Sequence, residues 1–348
     1  MKTIYSDKHR LQHGQAELFG NKLVPCHERP VRADAIRARI EEVKLGPIIA
    51  PGDFGINAIT AVHARDYVEF LHGAWEAWRA AGGEGDALPC CTPMPDMSRR
   101  LPTSIYGKIA YYSFDATAPI TQGTWEAAYA SAQVALTGAD LLIKGDRAAF
   151  ALCRPPGHHA SRAYYAGYCF LNNAAIAAQS LIARGMKRIA ILDVDYHHGN
   201  GTQSIFYDRD DVLFVSIHGD PNEDYPFFLG HADERGVGKG EGYNINFPLP
   251  HGATVKEWFN TLAVSLEAIR KYKPEAAVIS LGVDTYAGDP ISHFKLDSED
   301  FLRLGERLST LRLPTLFIME GGYNVDAIGM NVANVLMGFE ETRKPALA

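Results

Sequence analysis

Five runs of apolar and β-branched residues punctuate the chain, each stopping abruptly at glycine, proline, aspartate or histidine. They are AAFALCRPPGHH (148–159), RIAILDVDYHH (188–198), DVLFVSIHGD (211–220), EAAVISLGVD (275–284) and PTLFIMEGGY (314–323). Helix-like segments lie between them: NNAAIAAQSLIARGM (172–186), VKEWFNTLAVSLEAIRKY (255–272) and SEDFLRLGERLSTL (298–311). The last opens on Ser298, Glu299 and Asp300, an acidic start that suits the positive end of a helix dipole. Strands apolar almost throughout, alternating with helices, predict an α/β fold with a mostly parallel sheet covered on both faces. Sheets of that kind bind ligands beyond the carboxyl ends of their strands. The polar clusters of this chain sit at those ends.

Residues 81–124 break the rhythm. They contain the Gly/Pro-rich AGGEGDALPCCTPMPDMSRRLPTS, followed by the aromatic IYGKIAYYSF. A structureless stretch of that length inside a compact domain is more often a lid or contact loop than a linker. Residues 1–348 therefore read as a single domain carrying an insertion at about 81–124.

Composition narrows the function classes. Of 348 residues 47% are hydrophobic, and the formal charge is −7. That balance argues against a nucleic-acid binder, which needs a basic face for phosphates, and is compatible with a cationic substrate. Cys26, Cys90, Cys91, Cys153 and Cys169 form no CxxC pair and no disulfide-like framework, as expected in a reducing compartment. MKTIYSDKHR lacks the apolar core of a signal peptide, and no run of about 18 apolar residues could span a bilayer. The expectation is a cytoplasmic protein without membrane or nucleic-acid partners.

The densest chemistry is LDVDYHHGNG (192–201), at the end of a strand-like run. Asp195 and His197 are two apart and share a face in extended chain, as does Asp193. Asp284, ending AVISLGVD, is a third candidate ligand. One imidazole and two carboxylates suit zinc while leaving a coordination position open. His158 and His159 end another strand, and Tyr323 a third. Each feature alone has an ordinary explanation: a D-x-H is common, an Asp at a strand end caps helices, and Gly321 and Gly322 make turns. Such features gathered at the ends of separate strands are much harder to explain that way.

RPPGHH, GYCFLNN, LDVDYHHGNGTQ, SIHGD, SLGVD and EGGY, in this order and spacing, closely resemble the histone deacetylase superfamily over about residues 1–340. SDKH…ELFGNKLVP and the insertion before SIYGKIAYY resemble its bacterial acetylpolyamine amidohydrolases most. The resemblance implies an arginase/deacetylase-like three-layer sandwich, with helices on both faces of an eight-stranded, mostly parallel sheet. It implies one zinc ion per chain on Asp195, His197 and Asp284. Asp193 matches the aspartate that orients His158, and with Ser216, Ile217 and the carbonyls of Asp195 and His197 would hold a structural potassium ion. A second monovalent site would lie around Phe206, Arg209 and Val212. Gly167, Tyr168 and Tyr225 match the lining of the substrate tunnel. A homodimer through the insertion is implied as well.

The implied reaction is metal-dependent hydrolysis of a linear amide, an acetamide on an alkyl amine. His159 faces Asn200, where some relatives carry an aspartate, so it is expected to stay neutral and act as general base and then acid. His158, facing Asp193, is expected to act mainly through its charge. Tyr323 is expected to polarise the acetyl carbonyl. Near the insertion the chain has Tyr106 and Thr117, leaving Asp115 as the nearby carboxylate. Short acetylated diamines such as acetylputrescine and acetylcadaverine are therefore expected substrates. A protein or peptide acetyl-lysine deacetylase is the alternative, and a non-catalytic acetyl-amine binding module a more distant one. A two-metal ureohydrolase is disfavoured, because Gly199 and Gly282 stand where those enzymes carry bridging carboxylates.

Overall fold

A computed structural model describes residues 1–19, 22–94 and 97–342. The strands in chain order are β1 (Lys2–Ile4), β2 (Glu17–Phe19), β3 (Lys22–Val24), β4 (Ile48–Ile49), β5 (Ala148–Ala151), β6 (Ile189–Asp193), β7 (Val212–Gly219), β8 (Asn244–Leu249), β9 (Ala276–Leu281) and β10 (Thr315–Met319). The α-helices are α1 (Val31–Glu42), α2 (Ile56–Thr60), α3 (Arg65–Ala80), α4 (Ile105–Tyr111), α5 (Thr124–Ile143), α6 (Asn173–Ala183), α7 (Asn200–Phe206), α8 (Val255–Tyr272), α9 (Ser298–Ser309) and α10 (Val325–Glu341).

Eight strands form one sheet in the order β4-β1-β5-β10-β9-β6-β7-β8, and all its pairings are parallel. Because side chains alternate along a strand, each central strand feeds two cores. Ala149, Ile189, Ile191, Val212, Val278 and Leu316 point into a layer built by α2 to α7. Phe150, Ala190, Leu192, Val215, Ile279 and Phe317 point the other way, against α1, α8, α9 and α10. Burial on both faces is why these strands read as unbroken apolar runs. The fold is the three-layer α/β sandwich that the patterning and the resemblance imply.

The five runs become β5, β6, β7, β9 and β10. The patterning passes over β1 and β4, which are three and two residues long, too short to carry a period. It also passes over β8, an edge strand whose inner positions are the polar Asn244 and Asn246. The three helix-like segments are α6, α8 and α9. The last begins one residue before the acidic run, with Asp297 as N-cap and Asp300 completing a capping box.

The insertion is less irregular than its composition predicts. It carries α4, whose Ile105, Ile109 and Ala110 are buried, and Ala87 exchanges both backbone hydrogen bonds with Ile120, closing its base. Aromatic IYGKIAY is amphipathic enough to bury one face, which the preceding Gly/Pro-rich residues conceal. Pro95 and Asp96 of the insertion, and residues 343–348 of the expected domain, lie outside the described residues.

Two fully buried histidines make the fold acid-sensitive. His63 Nε2 accepts the backbone amide of Asn172 at 2.9 Å, and burial pushes its pKa down to about 4. His218 is also held at about 4 by burial. Both stay neutral in the folded chain, while the unfolded chain takes up their protons below pH ~6.5. The contribution of these two sites is therefore complete above that value and falls as pH drops toward 4, by about 1.4 kcal/mol per pH unit per site. Urea denaturation in pH steps should show this decline, with a shallower slope in His63→Gln, whose amide oxygen can still accept the Asn172 N–H. An identical slope in that variant would remove His63 from the account.

Candidate active site

The four central strands β5, β10, β9 and β6 are neighbours, and their carboxyl ends deliver His158 and His159, Tyr323, Asp284, and Asp195 with His197. Adjacency in the sheet is what gathers residues more than a hundred positions apart.

Beyond β6 the chain turns on its own carboxylates. Asp193 Oδ1 accepts the amide of Asp195 at 3.1 Å, and Asp195 Oδ1 that of His197 at 2.9 Å. Asp284 Oδ1 accepts the amide of Tyr196 at 2.8 Å, and Asp195 Oδ2 that of Gly321 at 2.7 Å. These bonds pin each carboxylate in one orientation. His197 Nδ1 then lies 3.1 Å from Asp284 Oδ2 and 3.4 Å from Asp195 Oδ1. One donor atom from each of the three lies within 4.8 Å of the others.

The electrostatics favour a cation at their centre. Both carboxylates are completely buried, and burial together with Asp195 pushes Asp284 up to about 7. Two buried carboxylates repelling each other over one imidazole are costly unless a positive charge sits between them. An oxygen–oxygen–nitrogen set of this kind fits zinc and leaves room for a fourth ligand. The glycines around it sit too close to these carboxylates for a side chain. A Cβ at Gly282 would collide with Asp195 Oδ2, and one at Gly321 would lie 2.5 Å from the same atom. A Cβ at Gly199 would run into Asp193 Oδ2. Because the Gly282 Cβ would also meet the Cα of Asp195, at 2.6 Å, no carboxylate can replace Gly282 on this backbone, which counts against the two-metal reading.

The rings of the paired histidines lie 3.9 Å apart between centroids, tilted by 45°, but their environments differ. His158 Nδ1 lies 3.0 Å from Asp193 Oδ2. Burial opposes its charge, yet Asp195 and Asp193 prevail and raise it to about 10. His159 is held well below the usual imidazole range by burial and by the adjacent His158 and His197. Its Nδ1 sits 2.7 Å from Asn200 Oδ1. A neutral ring that donates there keeps its lone pair on Nε2. Asn200 opens α7, and the neighbouring Gly201 packs so closely on the backbone of His159 and Ala160 that a Cβ would lie 2.5 Å or less from them.

Tyr323 is buried, and burial keeps its hydroxyl protonated far above neutral pH. Its amide donates to Asp289 Oδ2 at 2.7 Å, and the Arg32 guanidinium lies 4.6 Å from its ring centroid. Arg32 also donates to the carbonyls of Glu320 and Gly322 at 2.7 and 2.5 Å, clamping the turn that carries the tyrosine. Beneath it, Glu28 bridges Arg32 and Arg154, both at 2.7 Å and all three buried.

Tyr168 and Tyr225 flank this centre. Tyr168 adopts φ +67° and lies edge-on to Tyr323 at 5.5 Å, with its hydroxyl on buried Glu17 at 2.8 Å. Tyr225 stands edge-on to His159 at 4.9 Å. Gly167, at φ +48°, approaches His159 so closely that a Cβ would overlap the ring. Asp115 is occupied: it accepts from the Tyr225 hydroxyl, from the Gly167 amide at 3.0 Å, and from the amide and hydroxyl of Thr117 at 2.8 Å each. It braces the wall with both oxygens rather than standing as a free carboxylate.

Ser216 and Ile217 lie on β7, where Ser216 pairs in register with Asp193; the Ser216 hydroxyl is 2.8 Å from His218 Nδ1. Phe206, Arg209 and Val212 sit together where α7 passes into β7, with the Phe206 carbonyl accepting the Arg209 amide at 3.0 Å. Glu320, Arg32, Glu28, Glu17 and Asp289 escaped the motif reading. Glu320 carried a signal, a carboxylate placed between an apolar strand and a glycine pair. It accepts the amides of Gly157 and His158 at 2.6 and 3.2 Å, and burial pushes it up to about 7. Arg32 and Glu17 carried none, because only the folded chain brings them to the site.

The histone deacetylase domain family matches residues 26–339. The chain is 57% identical to "Acetylpolyamine amidohydrolase 1" of Pseudomonas aeruginosa, over 98% of this chain and 99% of that protein. It is 49% identical to the acetylpolyamine amidohydrolase of Mycoplana ramosa, over 97% and 99% of the two chains. Among solved structures, it superposes on an acetylpolyamine aminohydrolase from Burkholderia pseudomallei with a TM-score of 0.95 at 40% identity, covering 99% of this chain and 100% of the other.

Proposed function

Since the chain belongs to the histone deacetylase family, we propose that it hydrolyses the acetamide of N-acetylated polyamines and short diamines, acetylputrescine and acetylcadaverine among them, to acetate and free amine. The observation that carries this reading is the convergence of Asp195, His197 and Asp284 within 4.8 Å of one another, beside a histidine held neutral. The names of the relatives support the substrate class. The occupied Asp115 supports short diamines, because it leaves no free carboxylate there for a distant second ammonium.

Asp195, His197 and Asp284 would hold one zinc ion. When bound, zinc supplies Lewis acidity to the acetyl carbonyl and the attacking water. His159 takes the water's proton on Nε2, the atom its bond to Asn200 leaves free, and later returns that proton to the departing nitrogen. His158 remains an imidazolium braced by Asp193 and stabilises negative charge nearby. Tyr323 donates its hydroxyl hydrogen to the oxygen on which charge develops. Gly167, Tyr168 and Tyr225 admit a slender alkyl chain between aromatic walls. Asp193, Ser216 and Ile217 would hold potassium behind the site, with a second monovalent ion near Phe206, Arg209 and Val212.

Residues 1–348 act as one domain in this reading, and the insertion narrows the entrance by packing against a second copy. The exposed Met94, Met97, Leu101 and Phe228 support such a homodimer. The five free cysteines support a reducing, cytoplasmic setting. No helix among the described residues is long and apolar enough to cross a membrane.

A substrate panel assayed with and without a chelator tests the proposal. We expect acetylputrescine and acetylcadaverine to give kcat/KM values at least tenfold above an acetyl-lysine peptide, with acetylspermine between them. Activity should vanish with the chelator and return with added zinc. Preference for the peptide would transfer the chain to the protein deacetylases, and activity indifferent to the chelator would refute the metal centre.

A further inference from the structure

A second cluster of metal-type donors lies on the rim, outside the centre described above. Asp224 follows β7, His251 lies in the turn between β8 and α8, and His293 lies between β9 and α9. One donor atom from each falls within 4.8 Å of the other two. The imidazoles of His251 and His293 are 4.0 Å apart between centroids, tilted by 37°. Asp224 Oδ2 is 2.7 Å from His251 Nε2 and accepts the Tyr196 hydroxyl, also at 2.7 Å. Glu223 adds a further carboxylate 3.4 Å from His251 Nδ1. The two carboxylates here thus face a hydroxyl and an imidazole.

We propose that Asp224, His251 and His293 form a second binding site, for a divalent transition-metal ion of the zinc type. Two imidazoles and a carboxylate are a borderline-soft set that selects zinc, cobalt or nickel over magnesium or calcium, which prefer oxygen. Both histidines are exposed, so an ion can enter directly from solvent and water can complete its shell. Three separate loops would be tied at one point. One of them continues from Asp224 into Tyr225, the aromatic that stands against His159. Tyr196, held by Asp224, packs edge-on to His197 at 5.0 Å. An ion on the rim would thus brace the tunnel wall without contributing a ligand to the inner centre.

Titration of the full-length protein with Zn²⁺, and with Co²⁺ followed by its visible absorption, tests this. Protein already carrying its tightly held inner ion should bind one further equivalent. His251→Ala and His293→Ala should each weaken that equivalent at least tenfold, with the tightly held ion unchanged and the melting temperature unchanged when no further metal is added. A third variant, Asp224→Asn, should weaken it too. If wild-type protein takes up no further equivalent, or if both histidine variants bind it as tightly as wild type, the site does not exist. Should the inner ion prove absent while the outer equivalent binds and responds to these variants, this inference stands and the proposed catalytic centre falls.

Discussion

Replacing Tyr323 with phenylalanine should lower kcat by about 10²–10³-fold, the loss typical of a single donor to a developing oxyanion. Burial keeps the hydroxyl protonated, so it can donate at any pH at which the fold survives. Its ring is fixed from both sides, by the Arg32 guanidinium at 4.6 Å and by Tyr168 at 5.5 Å, and its amide is tied to Asp289. Phenylalanine keeps those ring contacts and removes only the donor. KM should therefore change little, since the hydroxyl's bond strengthens only as charge develops. Metal content should match wild type, because Tyr323 belongs to no ligand set. A kcat within a few-fold of wild type would assign the oxyanion to another donor.

Glu28→Gln should destabilise the protein by about 3–5 kcal/mol, as when a buried ion pair loses one member. Glu28 Oε1 lies 2.7 Å from both Arg32 and Arg154, and all three side chains are almost wholly buried. Burial works against its charge, but Arg154 and Arg32 hold the carboxyl below the usual range. Glutamine has the same shape and no charge, leaving two guanidiniums without a counter-ion. Denaturant unfolding of the two proteins measures the difference. Because Arg32 clamps the carbonyls flanking Tyr323, the surviving folded fraction should also show reduced kcat. A loss below 1 kcal/mol would mean that the triad is compensated elsewhere.

The legible parts of this molecule are those whose physics is local. A strand buried on both faces has to be apolar throughout, so β5, β6, β7, β9 and β10 stand out in the sequence. A strand end is where polar chemistry can begin, so Asp195, His197, Asp284, His158, His159 and Tyr323 stand out with them. What stayed hidden depends on partners distant along the chain. Arg32 meets a turn 288 and 290 residues away. Glu17 meets Tyr168 across 151 residues. Asp115 was visible as a carboxylate, but not as one already committed to four hydrogen bonds, because its partners arrive from three segments. The rim cluster was invisible for the same reason: Asp224, His251 and His293 follow three different strands, and no motif joins them.

Gly282 limits which side chains the end of β9 can accept. Its missing side chain is the clearance within which Asp195 sits: on this backbone even an alanine methyl there would run into both the carboxylate and the Cα of Asp195, so any larger residue would dislodge a carboxylate that the Gly321 amide holds in place.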